Sequence, residues 1–60
     1  MMRTGERYEM DGHLFLITDV FTDCNGWLHE VAGMCLTGPC DAPPLFIMLD
    51  PRLLTRVSLH

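Results

Sequence analysis

Along the first third of the chain the large apolar residues Tyr8, Phe15, Ile17 and Val20 are set apart by polar positions, with glycines at Gly5 and Gly12. Short apolar runs bounded by turn dipeptides predict strands rather than helices. Residues 6–10 read as a first strand centred on Tyr8. Asp11-Gly12 reads as a hairpin dipeptide whose glycine takes positive φ without penalty. Residues 13–22 are rich in β-branched and aromatic side chains, which favours a second, longer strand. Period two puts Phe15 and Ile17 on one face but then brings Asp19, not Val20, inward. A bulge near Thr18-Asp19 restores Val20 to the core side and bends the strand.

The next reversal is expected at Asp23-Cys24-Asn25-Gly26, and residues 27–36 read as a third strand. Gly33 inside it marks a bulge or a close backbone approach. Residues 37–44 hold three prolines and one glycine, which predicts a long loop. The apolar run 45–49 reads as a short buried strand. Asp50-Pro51 reads as a helix cap followed by proline at the first helical position. One helical turn through Leu54 follows, and residues 57–59 close as a last strand.

Four to five short strands with one late helical turn make a mostly-β plan, a small antiparallel barrel forming a single domain over residues 1–60. The spacing of Gly5, Tyr8, Gly12, Phe15, Ile17 and Val20 resembles the opening hairpin of short bacterial and phage SH3-like domains. The stretch Leu49-Asp50-Pro51-Arg52-Leu53-Leu54-Thr55-Arg56-Val57 is similar to their helical-turn-then-strand ending. Residues 23–44 have no counterpart in the resemblance. It implies an SH3-like barrel and no reaction, because a fold of this kind carries no chemistry by itself.

Composition adds a problem of burial. A chain of 60 residues, 48% of them hydrophobic, hides only about 60% of the surface its unfolded form exposes. Part of the apolar surface is therefore expected against another chain, as a homo-oligomer or a complex with a protein partner. The net charge is −4, from eight acidic residues against four arginines and no lysine. Phosphate backbones are held by clustered basic residues, so nucleic-acid binding is disfavoured. It stays an alternative only through Arg52 and Arg56 meeting Arg3 or Arg7. An acidic surface suits a basic protein partner better. No apolar run approaches the roughly 20 residues of a membrane helix, and a motif starting at Gly5 leaves no room for a signal peptide. The expectation is a cytoplasmic protein whose three cysteines stay reduced, an odd number that argues against a closed disulfide framework.

Cys24, Cys35 and Cys40 with His29 offer the elements of a zinc site, which would also reinforce a small core. Zinc knuckles pair cysteines two to four residues apart; Cys35 and Cys40 are separated by four, and Cys24 has no near partner. The simpler reading makes Cys35 a small buried hydrophobe and Cys40 a loop thiol, with no cofactor. A Cys24–His29 nucleophile pair would lack an orienting third group and a pocket, so no enzyme is expected. The acidic residues fall mostly at turns and caps, where each has a structural role.

Among the aromatics, Phe15 and Phe46 are the core candidates, while Trp27 covers one end of the barrel or anchors a partner. With Phe15 and Ile17 inward, Leu14 and Leu16 point outward, and Phe46 and Met48 oppose Leu45, Ile47 and Leu49 in the same way. A strand apolar on both faces expects cover on both. That cover is either the long loop or helical turn, through Leu53 and Leu54, or another protein. An open barrel also leaves an edge that a peptide or second copy can extend. The contact residues expected are Leu14, Leu16, Trp27, Met48 and Leu53. The function expected is that of a small non-catalytic protein-binding module; size and resemblance point to a phage- or mobile-element-encoded modulator of a host complex.

Overall fold

The computed structural model describes residues 2–38 and 45–57. Its elements are β1 (Arg7–Met10), β2 (His13–Thr22), β3 (Leu28–Cys35), β4 (Phe46–Leu49) and β5 (Thr55–Arg56), with a 3-10 turn at Pro51–Leu53. They form one five-stranded sheet in the order β4-β3-β2-β1-β5, and every ladder is antiparallel. The mostly-β reading holds. Among the described residues the sheet is open, with β4 and β5 as its two edges and no ladder joining them.

Local chemistry places the reversals. Asp11 and Gly12 both have positive φ, at 52° and 78°, the requirement of a two-residue type I′ hairpin. Between β2 and β3, the Asp23 carboxylate accepts from the N–H groups of Asn25 and Trp27 at 2.9 and 3.0 Å. Gly26 completes that turn at φ 82°. At the other end of the β2–β3 pair, the Leu14 N–H donates to Thr37 Oγ1 at 3.2 Å.

The expected bulge is present. Ile17 faces Gly33 and Asp19 faces Ala32, leaving Thr18 as the extra residue. Its hydroxyl donates to the Ala32 carbonyl at 3.2 Å, so the disturbed ladder keeps a partner there. The bulge turns Val20 back toward the core, against which it packs. A second irregularity leaves His29 unpaired, since Phe21 faces Glu30 and Thr22 faces Leu28.

The core lies on one face of the sheet and consists of Tyr8, Phe15, Ile17, Val31 and Leu49, with Met2, Met10, Val20, Cys35, Ile47 and Leu54 packed around it. Gly33 sits beneath Leu49. A Cβ there would lie 2.9 Å from the Leu49 Cδ1 atom, so the glycine marks a close approach of a side chain. Glu6 clasps the β1–β5 edge. Its carboxylate accepts from the Arg3 N–H at 2.6 Å and the Tyr8 hydroxyl at 3.2 Å, and pairs with Arg56 at 2.9 Å.

Three expectations are corrected. The last strand begins at Thr55, because the 3-10 turn ends at Leu53; residues 58–59 of the expected strand lie outside the described residues. The run 45–49 is an edge strand, not a buried one: only its Leu49 is buried, and Phe46, expected in the core, is 61% exposed. The helical turn does not cover the second face, because Leu54 packs on the core side and Leu53 is exposed. The other expected cover, the long loop, lies outside the described residues over 39–44. Among the described residues, no helix is long and apolar enough to cross a membrane.

Candidate interaction surface

Residues directly opposite in an antiparallel ladder share a face, so the register maps the second side of the sheet residue by residue. Leu16 faces Met34, which faces Phe46; Ala32 faces Asp19 on one side and Met48 on the other. Leu14 faces Glu9 in β1, and its carbonyl accepts from the Leu36 N–H at 2.8 Å. Phe21 lies farther along β2, opposite Glu30. The apolar side chains of this face therefore run from Leu14 and Leu16 through Met34 to Phe46 and Met48, across the three strands β2, β3 and β4. Phe46, Met48, Leu36 and Phe21 are exposed, while Leu14, Leu16 and Met34 are half-buried.

Of the contact residues expected from sequence, Leu14, Leu16 and Met48 meet on this face. Trp27 is 73% exposed in the β2–β3 hairpin, and Leu53 is 64% exposed in the 3-10 turn. Neither belongs to the three strands that carry the apolar face. Met34 and Phe46 were missed. The signal lay in the third strand, where setting Gly33 inward puts Met34 on the outer side with Leu16.

The charges around the face are mostly acidic. Glu9, Asp19 and Glu30 stand on it beside Arg7. Arg56 belongs to the opposite face, beside Tyr8, and pairs with Glu6; Arg52 pairs with Asp50 at 2.8 Å. Arg52 and Arg56 are thus each engaged by a carboxylate rather than grouped with Arg7 on the outer face, while Arg3 meets the Glu6 carboxylate through its backbone N–H. Burial, together with the Glu6 charge, pushes the Tyr8 phenol above its ordinary pKa. The Arg3 N–H, and after it the Arg56 charge and Tyr8 hydroxyl, hold Glu6 below the usual carboxylate range.

A groove of about 440 Å³ lies between the start of β3 and the 3-10 turn, lined by Leu28, His29, Glu30, Asp50, Pro51 and Arg52. Of its charged groups, Asp50 and Arg52 are already engaged with each other through side-chain and backbone hydrogen bonds.

The proposed zinc ligands do not converge. Cys24 is in the hairpin before β3 and His29 near its beginning, whereas Cys35 ends the strand. Seven residue steps of extended chain from Leu28 to Cys35 put those ends about 23 Å apart. One ion cannot reach both. Among the described residues, no three of His, Cys, Asp and Glu are grouped to hold a metal; Cys40 lies outside them.

The chain matches no protein-family model, no curated protein and no solved structure.

Proposed function

We propose that the chain is a small non-catalytic protein-binding module that uses the outer face of its sheet. The observation that carries this reading is the continuous apolar set Leu14, Leu16, Met34, Phe46 and Met48, with Phe46 61% and Met48 52% exposed. A surface of this kind, rimmed by polar side chains, is the usual mark of a protein contact. Glu9, Asp19 and Glu30 around it favour a partner whose own apolar patch carries lysine or arginine at its border. The strand order, with β5 returning beside β1 after a 3-10 turn, supports an SH3-like plan in the form of an open, bent sheet. A cytoplasmic modulator of a larger complex, of phage or mobile-element origin, is the setting that fits the chain's size.

The test combines capture with position-specific crosslinking in the source cell. A photo-crosslinker at position 16 is expected to trap a partner that one at Arg56, on the opposite face beside Tyr8, does not trap. The double variant Leu14→Glu/Leu16→Glu is expected to keep its far-UV circular dichroism and lose that partner at least tenfold. A folded double variant that still captures the same partner would overturn the reading.

A further inference from the structure

We infer that β4 is a self-pairing edge, along which a second copy lays its own β4 antiparallel with Ile47 on the two-fold axis. The inference goes beyond the outer-face reading: it concerns the edge of the sheet and a second copy of the chain. The Cys35 N–H donates to the Leu45 carbonyl at 2.9 Å, and the register continues as Gly33 with Ile47 and Val31 with Leu49. Hydrogen-bonded and non-hydrogen-bonded pairs alternate in an antiparallel ladder. Residues 45, 47 and 49 therefore direct their backbone groups to β3. Phe46 and Met48 direct theirs to the open edge.

Among the described residues, that edge carries none of the devices that ordinarily prevent pairing. Residues 45–49 contain no charge, proline or glycine, exposed Leu45, Phe46 and Met48 make the strand sticky, and among the described residues no strand pairs with its outer side. The β5 edge differs. It is two residues long, and the Arg56 side chain there is held by Glu6.

Only one antiparallel register uses both outward-facing residues of β4. With Phe46 opposite the second copy's Met48, and Met48 opposite its Phe46, each pair exchanges two backbone hydrogen bonds. Odd shifts would set an outward-facing residue against one whose groups point to its own β3. A two-residue shift toward the C-terminus would set Phe46 against Asp50, which already caps the 3-10 turn. In the central register the two Ile47 residues form a non-hydrogen-bonded pair, with Cα atoms about 4.5 Å apart. Because no charge lies in the segment, two copies of a chain with net charge −4 meet there without like charges opposed. The pairing also sets Phe46 beside the second copy's Met48 and joins the two outer faces into one surface.

Sedimentation velocity over a concentration series tests the pairing. Wild type is expected to shift from monomer to dimer as concentration rises. Met48→Pro removes an N–H that β3 does not use, so it is tolerated at the edge and is expected to leave a folded monomer. Independently of that variant's folding, Ile47→Cys in a chain carrying Cys24→Ser, Cys35→Ala and Cys40→Ser is expected to form a symmetric disulfide on mild oxidation, since the axial Cα spacing lies within disulfide range. The Leu14→Glu/Leu16→Glu variant is expected to dimerise still. A wild-type chain that is monomeric at every concentration overturns the pairing, as does a dimer that Ile47→Cys fails to crosslink. Either result leaves the outer-face reading intact, because that reading stands on the Leu14 and Leu16 variants.

Discussion

A Cβ built at Gly33 falls 2.9 Å from the Leu49 Cδ1 atom and 3.4 Å from the Leu16 carbonyl oxygen. Leu49 is itself buried, so it has little room to give way. Gly33→Ala is expected to destabilise the fold by about 1–3 kcal/mol through overpacking, measured by urea unfolding. Shortening the side chain above it relieves the crowding. Gly33→Ala/Leu49→Ala should therefore cost less than the sum of the single changes, by about 0.5–3 kcal/mol of coupling. Strict additivity would contradict the close packing. The sequence marked Gly33 as special because glycine in a strand interior is otherwise unfavourable, yet it could not say which neighbour required it. Leu49 is 16 positions away, and only the β3–β4 register, with Gly33 opposite Ile47, brings it there. Glu6 was silent for a similar reason, since its role depends on Arg56 arriving beside β1 from the far end of the chain.

Each hairpin turn and cap owes its position to a few adjacent residues, and those were legible. Asp11-Gly12, Asp23 to Gly26, and Asp50-Pro51 all do what their chemistry dictates. The bulge at Thr18 was legible too, because the apolar pattern fails period two at one place only. The strand β5 was displaced toward the C-terminus by a reading that let the helical turn run through Leu54. What ends the turn is Leu54 adopting extended backbone, with φ −97° and ψ 137°, as it reaches back to the core. The same turn carries a pH dependence. Side-chain and backbone hydrogen bonds from Arg52 hold the Asp50 carboxyl at about 2, below its unfolded value of about 3.9. A depressed carboxylate contributes stability that is complete above the unfolded pKa and is lost as pH falls through the folded one. The thermal midpoint of wild type should therefore drop between about pH 4 and pH 2. Asn remains a good cap but does not titrate, so Asp50→Asn should fold and show a shallower acid decline. Glu6 leaves some decline in place. Parallel wild-type and Asp50→Asn profiles would contradict this account of the turn.

For the molecule as a whole, the decisive property is that, among the described residues, one face of a single sheet is filled while the other carries apolar side chains that no element covers. The sequence showed that β2 had two apolar faces, through Leu14 and Leu16, but which strands would flank it was a matter of topology. Once β3 and β4 follow β2 in space, Met34, Phe46 and Met48 extend the outer face. Phe46 leaves the core for the same reason: with Leu49 and Ile47 turned inward, its place in the pleat is outward. The charge pattern was less informative, because Arg56 is held by Glu6 and Arg52 by Asp50, and only the sheet register sets Arg56 and Arg7 on opposite faces. The methionines divide between the two sides in a useful way. Met2 and Met10 pack against the core, while Met34 and Met48 stand on the outer face through their pairing with Leu16, Phe46 and Ala32. Methyl NMR of methionine-labelled protein, recorded from dilute to concentrated solution, reads both sides at once. The account predicts that the Met34 and Met48 methyl signals move with concentration while those of Met2 and Met10 stay fixed. Met34 and Met48 signals that never move, or movement confined to Met2 and Met10, would contradict the self-pairing through β4.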